Sequence, residues 1–326
     1  MRIGLQLTQN PDKYQLIKEK IKSQITNSDA IEFIHIFDDD HLKTEIPKLD
    51  ILACYRLWES SFSLRSNTLK WIHFGVAGVE KSLFPELINS DLIITNARGI
   101  HGGPVSEFLM GMMLYLAKRF RDCEKFRSSN DWKQWEIARQ MMQLSGKTLG
   151  IIGYGSIGKV LAKKAKAFGM HVIASSRTGE LKDDSDSIEL IKKQDLPELL
   201  GRSDFVAITC PLTDETEGMI NRDSFDQMRS TAFLLNVSRG KIIDEPALIS
   251  ALSNRKIAGA ALDVFSEEPL LADNPLFQLD NVFLSPHISG NFPEYQKLVA
   301  IQFGNNLEKY INGKSLFNIV DKQYMY

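Results

Sequence analysis

The run Gly153-Tyr154-Gly155-Ser156-Ile157-Gly158 stands near the middle of this 326-residue chain, and few short runs restrict a fold so closely. Residues 147–152 before it read as a buried strand. Residues 157–168 after it read as a helix, with Val160, Leu161, Ala165 and Phe168 on one face and Lys159, Lys163, Lys164 and Lys166 on the other. Gly169 is placed to cap it. A strand, three glycines and a helix are what a pyrophosphate site requires. The first glycine permits a tight turn, the second lets backbone approach the phosphates, and the third lets helix and strand pack closely. The helix N-terminus then offers free N–H groups and a partial positive charge to an anion. A bare Gly-x-Gly-x-x-Gly is weak, and a chance glycine turn is the alternative; the flanking strand and helix are what favour a dinucleotide site.

The length allows two domains, each with its own core. Composition is ordinary, with 43% hydrophobic and 25% charged residues and a net charge of −2. Nothing in that balance points to nucleic acid or to a charged tail. Cys54, Cys123 and Cys210 are odd in number, far apart and never in a Cys-x-x-Cys pair. That argues against a disulfide framework or a metal site and fits a reducing cytoplasm. The N-terminal residues 1–7 read as a strand with no signal-peptide core behind it. The most apolar stretch, residues 108–117, is too short to span a bilayer and reads as a buried or interface helix.

Strand-like and helical segments alternate throughout. Residues 3–7, 31–37, 51–55, 71–74 and 92–95 read as strands, separated by connectors such as 13–22 and 84–89. A second series follows the glycine run, with strands at 171–175, 205–209, 232–236, 258–262 and 282–284. Helices are expected at 196–200, 222–228 and 245–253, the last with Asp244 as N-cap and Pro246 in its first turn. Residues 294–311 read as one long amphipathic helix ending at Asn312-Gly313. The fold class expected is α/β, with two doubly wound parallel-sheet (Rossmann- or flavodoxin-like) domains and a cleft between them. A dinucleotide-binding domain of residues 99–291 would be inserted into a substrate domain of residues 1–98 plus 292–326. Ligands of such sheets bind at the carboxyl ends of the strands.

Three polar residues follow the late strands: Arg239, Glu268 and His287. Hydride delivery to a ketone makes an alkoxide, so a proton donor is needed, and histidine changes charge near neutral pH. A carboxylate on the far ring nitrogen would favour the imidazolium and fix the ring. A guanidinium can grip a substrate carboxylate and polarise the adjacent carbonyl. Together they are a complete set for reducing a 2-oxo acid, although each alone is more often a solvated or structural residue.

Their surroundings change that balance. Asn236-Val-Ser-Arg-Gly240, Leu262-Asp-Val-Phe-Ser-Glu-Glu-Pro269 and Ser285-Pro-His-Ile288 resemble the three signature segments of the D-isomer-specific 2-hydroxyacid dehydrogenases. Cys210-Pro-Leu-Thr213 and Thr95-Asn-Ala-Arg-Gly99 are similar to further family segments. The resemblance runs over about residues 50–312 and is weakest before residue 50. It implies that Arg239 binds substrate, Glu268 supports the histidine and His287 is the acid–base, with the adjacent Glu267 left to solvent. It also implies that backbone N–H groups of Ala77 and Gly78, in Gly75-Val-Ala-Gly-Val79, bind the substrate carboxylate. Cys210, Pro211 and Val237 would line the cofactor, and Asp263 would hydrogen-bond the nicotinamide carboxamide. Cys210 then reads as a packing residue, and His101 as structural. Trp132 and Trp135 resemble the family's dimer-arm region, which implies a homodimer. Two departures bear on substrate preference: Val79-Glu80 where Val-Asp is usual, and Ser289-Gly-Asn-Phe292 after the histidine. The resemblance implies reduction of a small 2-oxo acid, such as glyoxylate or hydroxypyruvate, to its D-hydroxy acid. A short phosphoglycerate dehydrogenase-like enzyme and a cofactor-sensing corepressor-like protein are the alternatives.

NAD-selective domains of this kind end their second strand in an acid that holds the ribose hydroxyls. Here the segment reads His171-Val-Ile-Ala-Ser-Ser-Arg-Thr178, with Ser176 at the acid's place and Arg177 and Thr178 after it. A hydroxyl beside a guanidinium can bind a 2′-phosphate that a carboxylate would repel. NADP(H) is therefore the expected cofactor. With Arg177 turned to solvent or stacked on adenine, NAD(H) would serve instead.

Overall fold

The computed structural model describes residues 1–27, 29–176 and 188–322. The chain divides into two compact units, Met1–Ile100 with Phe292–Tyr326, and His101–Asn291.

The first unit holds a five-stranded sheet of β1 (Arg2–Gln6), β2 (Glu32–His35), β3 (Ile51–Cys54), β4 (Trp71–Phe74) and β5 (Ile93–Asn96). All pairings are parallel, in the order β2-β1-β3-β4-β5. Its strands are nearly continuous apolar runs because both faces are covered. Ile51, Ala53 and Trp71 face one core, and Leu52, Cys54, Ile72 and Phe74 face the other. The helix Tyr295–Ile311 completes the first of these, burying Val299, Phe303 and Leu307. Beneath Phe303 lies His73, fully buried on β4, with Nδ1 2.9 Å from Thr95 Oγ1. Burial pushes its pKa down to about 3, so the ring is neutral at ordinary pH.

The second unit holds seven parallel strands: β6 (Thr148–Ile152), β7 (His171–Ser176), β8 (Glu189–Lys192), β9 (Phe205–Ile208), β10 (Phe233–Asn236), β11 (Gly259–Leu262) and β12 (Val282–Leu284). Their order is β12-β11-β10-β9-β6-β7-β8. The direction of strand succession therefore reverses between β6 and β9, the place where open α/β sheets bind ligands. The edge strand β8 is not anticipated by the periodicity; four residues of mixed polarity carry too little pattern. Helix Ser156–Ala167 buries Gly158, Leu161, Ala162 and Ala165. Phe168, expected on that buried face, lies beyond the last helical turn and is 46% exposed. Gly169 ends the helix at φ 74°, and Asp244 accepts from Ala247 N as the N-cap of Glu245–Ser253.

The apolar stretch near residue 110 is the helix Gly102–Ala117, which buries Leu109, Met112 and Met113 and packs against Ser156–Ala167. The segment after it behaves differently. Helices Phe120–Ser129 and Gln134–Ala138 bury no residue, and Trp132 and Trp135 are 75% and 67% exposed. Among the described residues, no helix is long and apolar enough to cross a membrane.

Candidate active site

The glycine run forms the turn from β6 into the following helix, and its three glycines differ in what they do. Gly153 has φ 102°, and a Cβ there would stand 2.6 Å from Cys210 N. A side chain at Gly158 would meet Gly153 O at 2.5 Å, so close helix–strand packing depends on that glycine. A Cβ at Gly155 would meet nothing within 4 Å, so the turn is open where backbone must approach a ligand. Gly153 N and Tyr154 N both donate to Ser175 O, at 3.1 and 3.0 Å, tying the turn to β7. The first helical bond is Lys159 N to Gly155 O at 2.9 Å. The N–H groups of Ser156, Ile157 and Gly158 precede it and have no intrahelical acceptor. Open space at the middle glycine beside free donors at a helix N-terminus fits a pyrophosphate.

Ser176 ends β7, half-buried. Arg177 and Thr178 lie outside the described residues. Cys210 and Val237 are 9% and 8% exposed, and Pro211 is exposed. Burial pushes the Cys210 thiol up to about 12, which leaves it protonated and a poor nucleophile.

Three neighbouring loops carry the polar residues. After β10, Asn236 is fully buried; its Nδ2 donates to Arg239 O at 2.9 Å and its Oδ1 accepts from Ser238 N at 3.0 Å. This closed turn presents Arg239, whose Nη1 donates to Ser238 O at 2.7 Å. The next residue, Gly240, presses on the loop after β11, where a Cβ would stand 1.8 Å from Phe265 C. In that loop Glu268 Oε1 accepts from Phe265 N at 3.2 Å, and Oε2 lies 2.8 Å from His287 Nδ1. His287 follows β12 at φ 53°, with a half-exposed side chain. Among the described residues no hydrogen bond engages its Nε2. Glu267 is exposed.

Asp263 is fully buried. Its carboxylate accepts from Ser285 Oγ (2.6 Å), Ile288 N (2.9 Å) and Ser289 N (2.8 Å), all in the loop that carries His287. His101 begins the helix Gly102–Ala117 beside Gly290, whose Cβ would stand 3.1 Å from His101 Cδ2. Burial lowers the His101 pKa, and the charge of Arg239 lowers it further. The buried Asn236 and Ser285 and the loop-bracing Glu245, which accepts from Ser266 N and Oγ, are not singled out by sequence reasoning. The signal available for Asn236 is its place at a strand end two residues before a serine, an Asx-turn pattern.

Ala77 and Gly78 belong to the first unit, in the loop after β4. Three successive carbonyls of that loop are held: Gly75 O by Tyr295 Oη (2.6 Å), Val76 O by Ala97 N (3.0 Å) and Ala77 O by Asn96 Nδ2 (2.8 Å). The N–H groups of Ala77 and Gly78 have no acceptor among the described residues. Successive free N–H groups of this kind form an anion-binding concavity. Among the described residues no group of three His, Cys, Asp or Glu could hold a metal ion.

The NAD-binding domain of the D-isomer specific 2-hydroxyacid dehydrogenases matches residues 110–289. Glyoxylate reductase of Thermococcus litoralis is 34% identical over 292 residues, covering 88% of this chain and 81% of that protein. Glyoxylate/hydroxypyruvate reductase A HPR2 of Arabidopsis thaliana is 32% identical, covering 86% of this chain and 82% of that one. The crystal structure of a D-isomer specific 2-hydroxyacid dehydrogenase family protein from Aeromonas salmonicida superposes with a TM-score of 0.85 at 29% identity, covering 98% of this chain and 99% of the other. The chain belongs to the D-isomer-specific 2-hydroxyacid dehydrogenase family. With that family it is a nicotinamide-dependent oxidoreductase acting on 2-hydroxy or 2-oxo acids.

Proposed function

We propose that this enzyme reduces glyoxylate, hydroxypyruvate or a close analogue to the D-hydroxy acid, with His287 as proton donor and NADP(H) as the preferred cofactor. The observation that carries the reading is the 2.8 Å pair of Glu268 and His287 beyond the carboxyl ends of neighbouring strands. Glu268 holds Nδ1 and fixes the orientation of the ring, which leaves Nε2 to give a proton to the substrate carbonyl oxygen. Arg239 polarises that carbonyl, and the N–H groups of Ala77 and Gly78 take the carboxylate. Gly153 to Gly158 hold the pyrophosphate, Cys210, Pro211 and Val237 pack beside the cofactor, and Ser176 with Arg177 and Thr178 bind the 2′-phosphate. A reduced nicotinamide, when bound, supplies the hydride. The three cysteines, unpaired in the described structure, fit the cytoplasm, and the exposed arm of residues 120–141 supports a homodimer.

A panel of 2-oxo acids assayed with NADPH and NADH tests this. Turnover of glyoxylate or hydroxypyruvate, with kcat/KM higher for NADPH, is the expected result; an NADH advantage overturns the cofactor assignment. His287→Ala should lower kcat by about 10²- to 10⁴-fold while still binding cofactor. Near-wild-type turnover of that variant would remove His287 from the mechanism. Cofactor-dependent capture of a partner protein without any turnover would favour a corepressor-like role.

A further inference from the structure

Two consecutive lysines, Lys192 and Lys193, stand at the far edge of the second unit's sheet, and the structure engages them differently. β8 pairs in parallel with β7, and the register sets Lys192 directly beside Ser176, the last residue of β7. Adjacent strands lie about 4.8 Å apart, and partners across such a ladder point to the same face. Lys192 and Ser176 therefore share one face at the carboxyl ends of their strands. Ala174 and Leu190 mark that face, packing in the same core as Leu161 and Ala162 of the helix Ser156–Ala167. Lys193 is committed elsewhere: its Nζ lies 2.8 Å from Glu215 Oε2 and 3.0 Å from Glu215 O. The carboxylate of Glu189, on the same strand, is taken by Arg202 at 2.6 and 2.7 Å. The Lys192 side chain is exposed, and among the described residues its ammonium has neither an ion pair nor a hydrogen bond.

An uncommitted ammonium beside a strand-end serine suits an anion. With a pyrophosphate at the N-terminus of the helix Ser156–Ala167, the adenosine ribose falls at the end of β7. A phosphate on its 2′ oxygen then lies at Ser176, on the face that Lys192 shares. We propose that Lys192 is a specificity-determining residue for the cofactor: its ammonium pairs with the 2′-phosphate across the β7–β8 ladder. A lysine acts there as a point charge with three donors, so it needs proximity and not the two-pronged fit of a guanidinium. Towards a cofactor without that phosphate the same ammonium meets only hydroxyls and water. The inference rests on the reading of NADP(H) as the preferred cofactor.

The test uses two ligands that lack nicotinamide and differ only in the phosphate: adenosine diphosphoribose and its 2′-phosphate. Calorimetry gives the Kd of each for the wild type, Lys192→Ala, Lys192→Arg and Lys193→Ala, and the stoichiometry counts folded sites. The wild type should bind the 2′-phosphorylated ligand more tightly. In Lys192→Ala that ligand should weaken about 10-fold, the size of a lost charge-assisted hydrogen bond, while the other stays within about twofold. Lys192→Arg keeps the charge and should hold the preference within about threefold. Lys193→Ala removes the same charge one residue along, from a lysine already paired, and should leave the ratio of the two Kd values within about twofold. Unchanged affinity for the phosphorylated ligand in Lys192→Ala overturns the proposal. So does an equal loss for both ligands, which would set the lysine against the adenosine or the pyrophosphate. An equal change of the ratio in Lys193→Ala would reduce the effect to the general field of the charge, and would overturn the contact. A wild type that binds both ligands equally is the separate result that removes the NADP(H) reading itself.

Discussion

His73 and His287 show how one side chain takes opposite roles from its surroundings. His73 is sealed in the core of the first unit beside Thr95 and Phe303, and burial holds its pKa at about 3. In the unfolded chain a histidine titrates near 6.5. The unfolded state therefore binds a proton that the folded state refuses between about pH 6.5 and 3. This contribution is fully present above the unfolded value and is lost as pH falls through that window, by up to about 1.4 kcal/mol per pH unit. Denaturant melts at pH 7 and pH 5 check it. The stability lost between the two should be smaller in His73→Phe, and an equal loss in both proteins would exclude His73 as a source. His287, by contrast, is half-exposed and paired with Glu268, as the proton donor proposed above would have to be.

Among the elements, the loops after β10 and β11 depend on each other through a glycine. The Asn236 turn delivers Arg239, and Gly240 then lies so close to Phe265 that a Cβ would stand 1.8 Å from backbone carbon. Backbone cannot give way as the end of a side chain can, so the two loops must separate to admit a methyl group. Gly240→Ala should cost at least about 2 kcal/mol in stability, within the range of overpacking. It should also raise KM for the 2-oxo acid, because Arg239 moves with the turn. Chemical denaturation and steady-state kinetics measure both, and a variant with wild-type values would show that the contact relaxes freely.

At the scale of the whole molecule, the arm after residue 117 is the part whose stability the single chain does not explain. Helix Phe120–Ser129 has ten residues and buries none, and Phe120, Phe126, Trp132, Trp135 and Met141 are all at least 38% exposed. Helices of that length are marginal in water by themselves. Apolar surface concentrated in one segment marks a contact with another protein. A second copy of the chain is the partner proposed above. Light scattering at micromolar concentration should give twice the monomer mass. Trp132→Ser with Trp135→Ser should shift the protein towards monomer, and a monomeric wild type would end the dimer assignment.

Sequence by itself determined what is local. Alternating apolar segments gave eleven of the twelve described strands, since a strand covered on both faces must be apolar along its length. The glycine run, the Asp244 cap and the order of Arg239, Glu268 and His287 are likewise written in neighbouring residues. Tertiary structure decided what depends on strand adjacency. Residues 19 and 22 positions apart, His287 with Glu268 and Ser285 with Asp263, meet because β11 and β12 pair in parallel and end level with each other. The packing of Gly240 on Phe265 and the short edge strand β8 are of the same kind. Periodicity records which face of an element is apolar, but not which element lies against it. For that reason the sequence could single out Arg239, Glu268 and His287 as candidates, while only the fold revealed the buried Asp263 carboxylate that hydrogen-bonds the loop carrying His287.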